Sequence, residues 1–129
     1  MNKILVEVSV GELLDKISIL EIKKEKIKDQ NSLKFISDEY EILKNELEKN
    51  IKIDEKLKEM FNKLKEINSR LWVIEDNKRL CEKKSEFGEE FIKLSRDVHF
   101  LNDDRAKIKF QINEHTGSKI KEIKEYTKY

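Results

Sequence analysis

The segment FLNDDRAKIKFQINEHTGS, residues 100–118, carries side chains that can bind a ligand or transfer a proton. Aspartates, asparagines and a histidine, which form helices less readily than lysine, glutamate and leucine, stand here beside an arginine. His99, just before it, is four residues from Asp103, so a helix places both on one face. This spacing suits a metal ion, but no second histidine or cysteine stands nearby, and we predict no transition-metal site.

Arginine is used in one region of the chain only. All but four of its 28 basic residues are lysines, and the arginines stand at positions 70, 79, 96 and 105. The planar guanidinium binds carboxylates and phosphates through two parallel hydrogen bonds, which lysine cannot do. The arginines therefore indicate a site for a carboxylate or phosphate, belonging either to the protein or to a ligand.

Long helices must position these side chains. The chain has no proline, three glycines and 43% charged residues, a composition typical of uninterrupted helices. Helix starts are predicted just after Ser9 and just after Asp54, because these residues suit N-terminal caps, and at about Ser32, where apolar residues begin to recur every three or four positions. A break is predicted at residues 85–88, where Ser85 and the following acids favour a new helix start, and Gly117 should end the last helix.

We predict an all-α fold in one domain, residues 1–129. A long antiparallel helical hairpin, about 54–84 and 86–115, packs with two N-terminal helices, and a short extended arm at 3–10 precedes them. A short amphipathic tail containing Ile120, Ile123 and Tyr126 closes the chain.

The last helix carries one charged residue in its apolar row. Every fourth or third residue from Phe87 to Ile112 is apolar except Arg105. An unpaired buried guanidinium is very costly, so Arg105 should meet a carboxylate or reach solvent. Hairpin geometry places it opposite residues 65–68, and the candidate partners are Glu66, Asn68 and Asp104. In the simplest interpretation, this contact fixes the helix register.

The opposite face of the same helix is also unlike a solvent face. It presents two phenylalanines and an alanine among its polar residues, so we expect the N-terminal helices to cover it. In a hairpin turning at Ser85, Trp72 and Asp76 lie level with Arg96 and His99. We therefore predict that these side chains and Asp103 converge on one partly covered surface.

The first hypothesis is a small-anion site on the hairpin, for a phosphate or carboxylate such as a sugar phosphate or nucleotide. Whether a reaction follows is left open. The predicted catalytic residues are Asp76, His99 and Asp103. The predicted ligand-binding residues are Trp72, Glu75, Arg79, Arg96, Asn102, Arg105 and Lys107. A variant of this hypothesis has Asp76, Asp103 and Asp104 holding Mg²⁺ through water.

The second hypothesis is an interaction or scaffold protein. The heptad spacing from Leu57 to Ile74 is typical of coiled coils, so the long helices could form a homodimer whose polar seam residues fix the register. Mixing tagged and untagged chains would test this hypothesis.

Composition excludes several other classes. The formal net charge is +1 with both signs interspersed, which argues against nucleic-acid binding and against a polybasic membrane surface. No apolar stretch is long enough for a membrane span. The single cysteine, Cys81, excludes an internal disulfide, and the cytoplasm is the expected location.

Three stretches resemble a known family: VSVGELLDKISILEIKKEKI at 8–27, LWVIED at 71–76, and FGEEFIKLSRDVHFLNDDRAKIKFQINEHTGS at 87–118. Together they resemble an uncharacterised bacterial family of short, helix-rich proteins, a domain of unknown function with no assigned activity. The resemblance implies a shared site, and a loose association of the family with surface-polysaccharide genes points to sugar-phosphate chemistry. The matching positions are Glu12, Asp15, Glu21, Asn68, Trp72, Glu75, Asp76, Arg96, Asn102, Asp104, Arg105, Lys109, Asn113, Gly117 and Ser118.

Overall fold

A computed structural model describes residues 2–120 and 122–129 as an all-α protein. Its helices are α1 (Val10–Lys26), α2 (Gln30–Asn50), α3 (Glu55–Lys83) and α4 (Glu89–Thr116). No strand occurs in these residues, and the predicted fold class is confirmed. None of the four helices combines the length and apolar character that a bilayer-spanning helix needs, within the part of the chain described.

Most helix ends lie where the sequence predicts them. Ser9 Oγ accepts from the Glu12 amide at 3.0 Å, and Asp54 Oδ1 accepts from the Leu57 amide at 2.8 Å, so both residues are side-chain caps. Gly117 ends α4 in the left-handed conformation, with φ 66°. Helix α2 begins two residues before the predicted start, because Asp29 provides its cap.

The α3–α4 connection differs from the prediction. Ser85 has φ 54°, and the Glu86 amide donates to the Cys81 carbonyl at 2.9 Å, the bond that closes a Schellman turn. Ser85 therefore ends α3 and cannot cap α4. Helix α4 begins three residues later than the predicted 86, after Gly88.

Helices α3 and α4 run antiparallel. His115 Nε2 lies 2.9 Å from Asp54 Oδ2 at one end, and Lys78 Nζ lies 6.0 Å from the centre of the Phe91 ring towards the other. Helix α1 packs against α2, α3 and α4, so it is the element that joins the fold. The apolar core is Leu14, Ile17, Leu47, Leu57, Met60, Leu64 and Ile112.

The core occupies only one half of the hairpin. In α3 the buried residues run from Leu57 to Asn68, and only Cys81 is buried beyond them. In α4 the buried residues are Lys109, Ile112 and Asn113. We call residues 70–100 the far half of the hairpin; they form two paired helices with little further cover.

The predicted cover on the back of α4 is not present. The N-terminal helices leave Phe100 40% and Phe110 44% exposed, because α1 packs on the side of α4 that carries Arg105 and Asn113. The Tyr129 ring, 5.4 Å from the Phe100 ring, covers part of this face instead.

Both chain ends lack regular structure in the described residues. The arm before α1 has no strand, and Ile4 and Leu5 are more than four-fifths exposed. In the tail, Ile123 and Tyr126 are about three-quarters exposed, so the predicted apolar side of the tail does not pack on the bundle.

Candidate functional site

Arg105 makes a two-bond ion pair with Asp15 of α1. Its Nε donates to Asp15 Oδ1 at 2.9 Å, and its Nη2 donates to Asp15 Oδ2. The side chain of Asp15 is 2% exposed, whereas that of Arg105 is 28% exposed. The carboxylate is thus enclosed, and the guanidinium reaches from it towards the surface.

The carboxylate of Asp15 is held from a third helix as well. Asn68 Nδ2 donates to Asp15 Oδ1 and to Ser18 Oγ, both at 2.8 Å. Ser18 Oγ in turn donates to the Asp15 carbonyl at 2.8 Å. Asp15, Ser18, Asn68 and Arg105, together with Lys109, are called the polar junction below; it connects α1, α3 and α4.

These contacts correct the predicted partners of Arg105. Glu66 pairs with Arg70 at 2.9 Å instead, and Asn68 shares the Asp15 carboxylate with Arg105. Asp104 is exposed and makes no ion pair with a described residue. The predicted hairpin placed Arg105 opposite the correct part of α3, at Asn68. It did not take account of α1, whose Asp15 accepts hydrogen bonds from both residues.

Lys109 lies one turn after Arg105 and is 8% exposed. Its Nζ donates to Glu12 Oε2 at 2.7 Å and to Glu122 Oε2 at 2.9 Å, and lies 3.9 Å from Asp15 Oδ2. Three carboxylates therefore surround one ammonium group. Buried cations need such compensation.

The pKa values of Asp15 and Lys109 are shifted in the directions that keep both groups charged. Burial by itself raises the pKa of Asp15, but hydrogen bonds from Arg105 and Asn68 outweigh burial and hold it below its ordinary value. Burial lowers the pKa of Lys109, and its bonds to Glu12 and Glu122 more than reverse this and raise it. The junction is therefore a set of ion pairs at neutral pH.

The end of α4 caps the start of α1. The Gly11 amide donates to Asn113 Oδ1 at 2.7 Å, and the Val10 amide donates to Ser118 Oγ at 3.2 Å. A Cβ built on Gly11 would lie 2.6 Å from the Lys109 carbonyl oxygen. Only glycine fits this approach, so α1 and α4 meet backbone to backbone.

A groove of about 370 Å³ lies beside the polar junction, between α1 and the middle of α3. We call it the α3 groove. Arg105 is among the lining residues, and its side chain is partly exposed. The lining residues are Ile19, Ile22, Asn68, Leu71, Trp72, Glu75, Asp76, Arg79 and Arg105.

One face of α3 supplies the chemistry of this groove. Glu75 and Asp76 are adjacent, and each lies three or four residues from both Trp72 and Arg79, a spacing that places the Cβ atoms of such pairs about 5–6 Å apart. None of the four makes a hydrogen bond or ion pair with another residue that the structure describes. The groove thus presents two carboxylates, an indole and a guanidinium to solvent.

The structure brings together only part of the predicted site. Trp72, Glu75, Asp76, Arg79 and Arg105 line the α3 groove. Asn102 lies behind it, with Oδ1 accepting from Arg105 Nη1 at 3.4 Å.

The other predicted residues lie elsewhere on α4. Arg96 stacks over Phe100, with 6.0 Å from Cζ to the ring centre, beside Ile92 and Asp97. Lys107 is exposed and lines no groove described here. The predicted convergence of Arg96 with Trp72 and Asp76 is wrong, because Arg96 belongs to the face of α4 that α1 does not approach.

His99 and Asp103 form a separate group with the tail. The Tyr129 hydroxyl donates to Asp103, and the Tyr129 ring lies 5.2 Å from the His99 ring. The hydrogen bond to Asp103 raises the pKa of Tyr129. Asp76 is not part of this group, so the three predicted catalytic residues do not share a site.

The described residues contain no group of three histidine, cysteine, aspartate or glutamate side chains that could hold a metal ion. Asp76 lies in the α3 groove, whereas Asp103 contacts Tyr129. The Mg²⁺ arrangement predicted from Asp76, Asp103 and Asp104 therefore has no common position for the ion.

Sequence reasoning missed the role of Asp15, although a signal for it is present. Gly11, Asp15, Ser18 and Ile22 follow one stripe of α1, and all four are buried. A carboxylate within a buried stripe requires a cation from another helix. Arg105, the one charged residue in its own apolar row, was the available partner.

Comparison with known proteins identifies a family for this chain but assigns it no activity. The chain belongs to the family described as "Family of unknown function (DUF6165)", which matches residues 4–129. No curated protein and no solved structure matches this chain.

Proposed function

We propose that this chain, a member of a family whose function is unknown, binds a small organic molecule with an anionic group in the α3 groove. The anionic group is a phosphate or carboxylate, as in a sugar phosphate. The observation that supports this most directly is the Arg79 guanidinium, which has no partner among the described residues and lines the same concave groove as Trp72.

The groove has the mixed lining of small-molecule sites. Ile19 and Leu71 provide an apolar surface, and the lining also includes Ile22, which is fully buried, so the floor is part of the packed bundle. Its volume of about 370 Å³ lies within the range of ligand pockets. A preformed apolar floor with a few polar groups at one side orients a ligand at low conformational cost.

In this proposal Arg105 contributes a rigidly held hydrogen-bond donor more than an uncompensated charge. Both of its strong hydrogen bonds go to Asp15, so its charge is already compensated. Its Nη1 has one long bond of 3.4 Å to Asn102 and retains a donor for a ligand. Arg79 is therefore the principal anion contact in this proposal, and Arg105 is a fixed second donor.

The proposed site is smaller than the one predicted from the sequence. It includes Trp72, Glu75, Asp76, Arg79 and Arg105. The proposal assigns ligand binding; Glu75 and Asp76 are the groups in the lining that could exchange a proton with a bound molecule.

The test is titration calorimetry with inorganic phosphate, glucose 6-phosphate and adenosine monophosphate as probes. We expect saturable binding of at least one probe and its loss in Arg79→Met, which keeps much of the aliphatic stem but removes the charge. Arg70→Met is the matched control, since Arg70 lies on α3 outside this groove and pairs with Glu66. Binding that is absent for every probe, or equal in both variants, would contradict the proposal.

The second candidate function is self-association through the far half of the hairpin. Large apolar side chains are exposed there, although Tyr129 partly covers Phe100: Val73 47%, Leu80 46%, Phe87 52%, Ile92 55% and Phe100 40%. Contiguous apolar surface on a two-helix segment commonly marks a protein interface. A homodimer would bury this surface in a four-helix arrangement.

A further inference from the structure

The charges that line the α3 groove favour a ligand that carries a positive group as well as an anionic one. Asp15 already neutralises Arg105, so the uncompensated charges of the lining are those of Glu75, Asp76 and Arg79. Two carboxylates and one guanidinium leave a negative excess at the groove. A ligand bearing only phosphate would bind Arg79 while approaching two like charges, which is unfavourable.

The carboxylates lie beside the indole. Glu75 and Asp76 are three and four residues after Trp72, so one helical turn brings both next to its side chain. An aromatic face with adjacent carboxylates is the arrangement that binds an ammonium group, through the ring quadrupole and the opposite charge together. This part of the groove is therefore suited to a cation.

We propose that the ligand is a small zwitterion, with its ammonium group held by Trp72, Glu75 and Asp76 and its anionic group held by Arg79. This inference rests on the proposed function and defines its ligand class. The ammonium group then lies next to the two carboxylates and the anionic group meets Arg79, so that one carboxylate of the lining remains uncompensated.

An ammonium ligand fits the groove better than a neutral polyol does. Hydroxyl groups also donate to carboxylates, but they leave both negative charges uncompensated as the ligand displaces water. Removing a carboxylate from water is costly unless a cation replaces the lost hydration. The ammonium group supplies that compensation.

The spacing on α3 sets the size of the ligand. Asp76 and Arg79 are three residues apart, and Glu75 and Arg79 are four, so the two binding groups are separated by about one helical turn, roughly 5 Å. A single ring or a short chain spans this distance and can rest on the apolar surface of Leu71 and Ile19. An aminated sugar phosphate has these features.

The experiment compares three probes that differ in one group: glucosamine 6-phosphate, glucose 6-phosphate and N-acetylglucosamine 6-phosphate. Calorimetry at neutral pH should give an affinity for glucosamine 6-phosphate about tenfold higher than for the other two. Equal affinities for all three would overturn the zwitterion inference and leave the anion site standing. No binding of any probe would contradict the proposed function itself.

Substitutions then test which residues cause the preference for the amine. The double substitution of Glu75→Gln with Asp76→Asn should remove the preference for the amine, while glucose 6-phosphate binds as well as before or better. Asp97→Asn, on α4 outside the α3 groove, should retain the preference. An amine preference that persists in the double variant, with circular dichroism showing an intact fold, would overturn the assignment of the ammonium site.

Discussion

Asp15 and Arg105 are 90 residues apart and make a two-bond ion pair that joins the first helix to the last. The carboxylate is enclosed, and Asn68 of α3 donates to the same oxygen that accepts from Arg105 Nε. One buried side chain thus determines how three helices meet. Because Arg105 also lines the α3 groove, this pair connects the packing of the bundle to the candidate site.

Removing the charge of Asp15 should destabilise the protein strongly. Asp15→Asn leaves the Arg105 guanidinium partly buried without a counter-charge, and breaking such a pair costs about 3 kcal/mol. Urea unfolding followed by circular dichroism measures the loss. Glu66→Gln is the control, because Glu66 and Arg70 form an exposed pair and its loss should cost less than about 1 kcal/mol. Similar losses in the two variants would contradict the importance of the junction.

The free energy of unfolding should depend on pH through Asp15 and Lys109 of the polar junction. The pKa of Asp15 is lowered in the fold, so its contribution is present above about pH 3.9, its unfolded value, and is lost as pH falls through the folded pKa. The pKa of Lys109 is raised, so its contribution is present below about pH 10.4 and is lost as pH rises through the folded pKa.

Urea titrations across the acid range check the Asp15 part of this prediction. The unfolding free energy of the wild type should fall below about pH 4, and Asp15→Asn should fall less steeply because it lacks the titrating group. Parallel acid profiles for the two proteins would show that Asp15 does not contribute to the pH dependence.

A methyl group at Gly11 should separate α1 from α4. The Cβ of Gly11→Ala would lie 2.6 Å from the Lys109 carbonyl oxygen and 3.0 Å from Asn113 Oδ1, so the helices must move apart. Overpacking of this kind costs about 1–3 kcal/mol. Thermal unfolding would measure the effect. Gly88→Ala is the control: nothing lies within 4 Å of its Cβ, and its effect should be smaller than about 1 kcal/mol.

If the chain self-associates through the far half of the hairpin, it should form a dimer that a single introduced charge disrupts. Sedimentation velocity of the wild type should show a dimer, and Ile92→Glu should shift it towards monomer because the glutamate would be buried at the interface. Phe35→Glu, a comparably exposed apolar residue on α2, should leave the dimer unchanged. A wild-type monomer at high concentration would contradict this second candidate.

The sequence predicted the helices well because their ends depend on local chemistry. Ser9, Asp54 and Gly117 act within their own turns, and their neighbours determine the result. Ser85 shows the limit of this reasoning. A serine suits a helix start, but here it takes the left-handed conformation that ends α3, and sequence alone does not distinguish these roles.

The site was harder to predict because it depends on how helices from distant parts of the chain pack. The spacing of Trp72, Asp76 and Arg79 placed them on one face of α3, and the structure puts these three residues in a groove. Which face of α4 would meet α1 could not be read from periodicity, since both faces carry apolar residues. The partner of Arg105 depends on which face of α4 contacts α1, and Asp15 was therefore not predicted as that partner.

The bonds from α1 to the end of α4 also bear on the order of folding. The α3–α4 hairpin closes through a short turn, whereas the Gly11–Asn113 and Val10–Ser118 bonds each close a loop of more than 100 residues. Loop-closure entropy favours the local pairing first. Helix α1 then docks on a hairpin that has already formed, and mutations at its contacts with α4 should accelerate unfolding while leaving the refolding rate nearly unchanged.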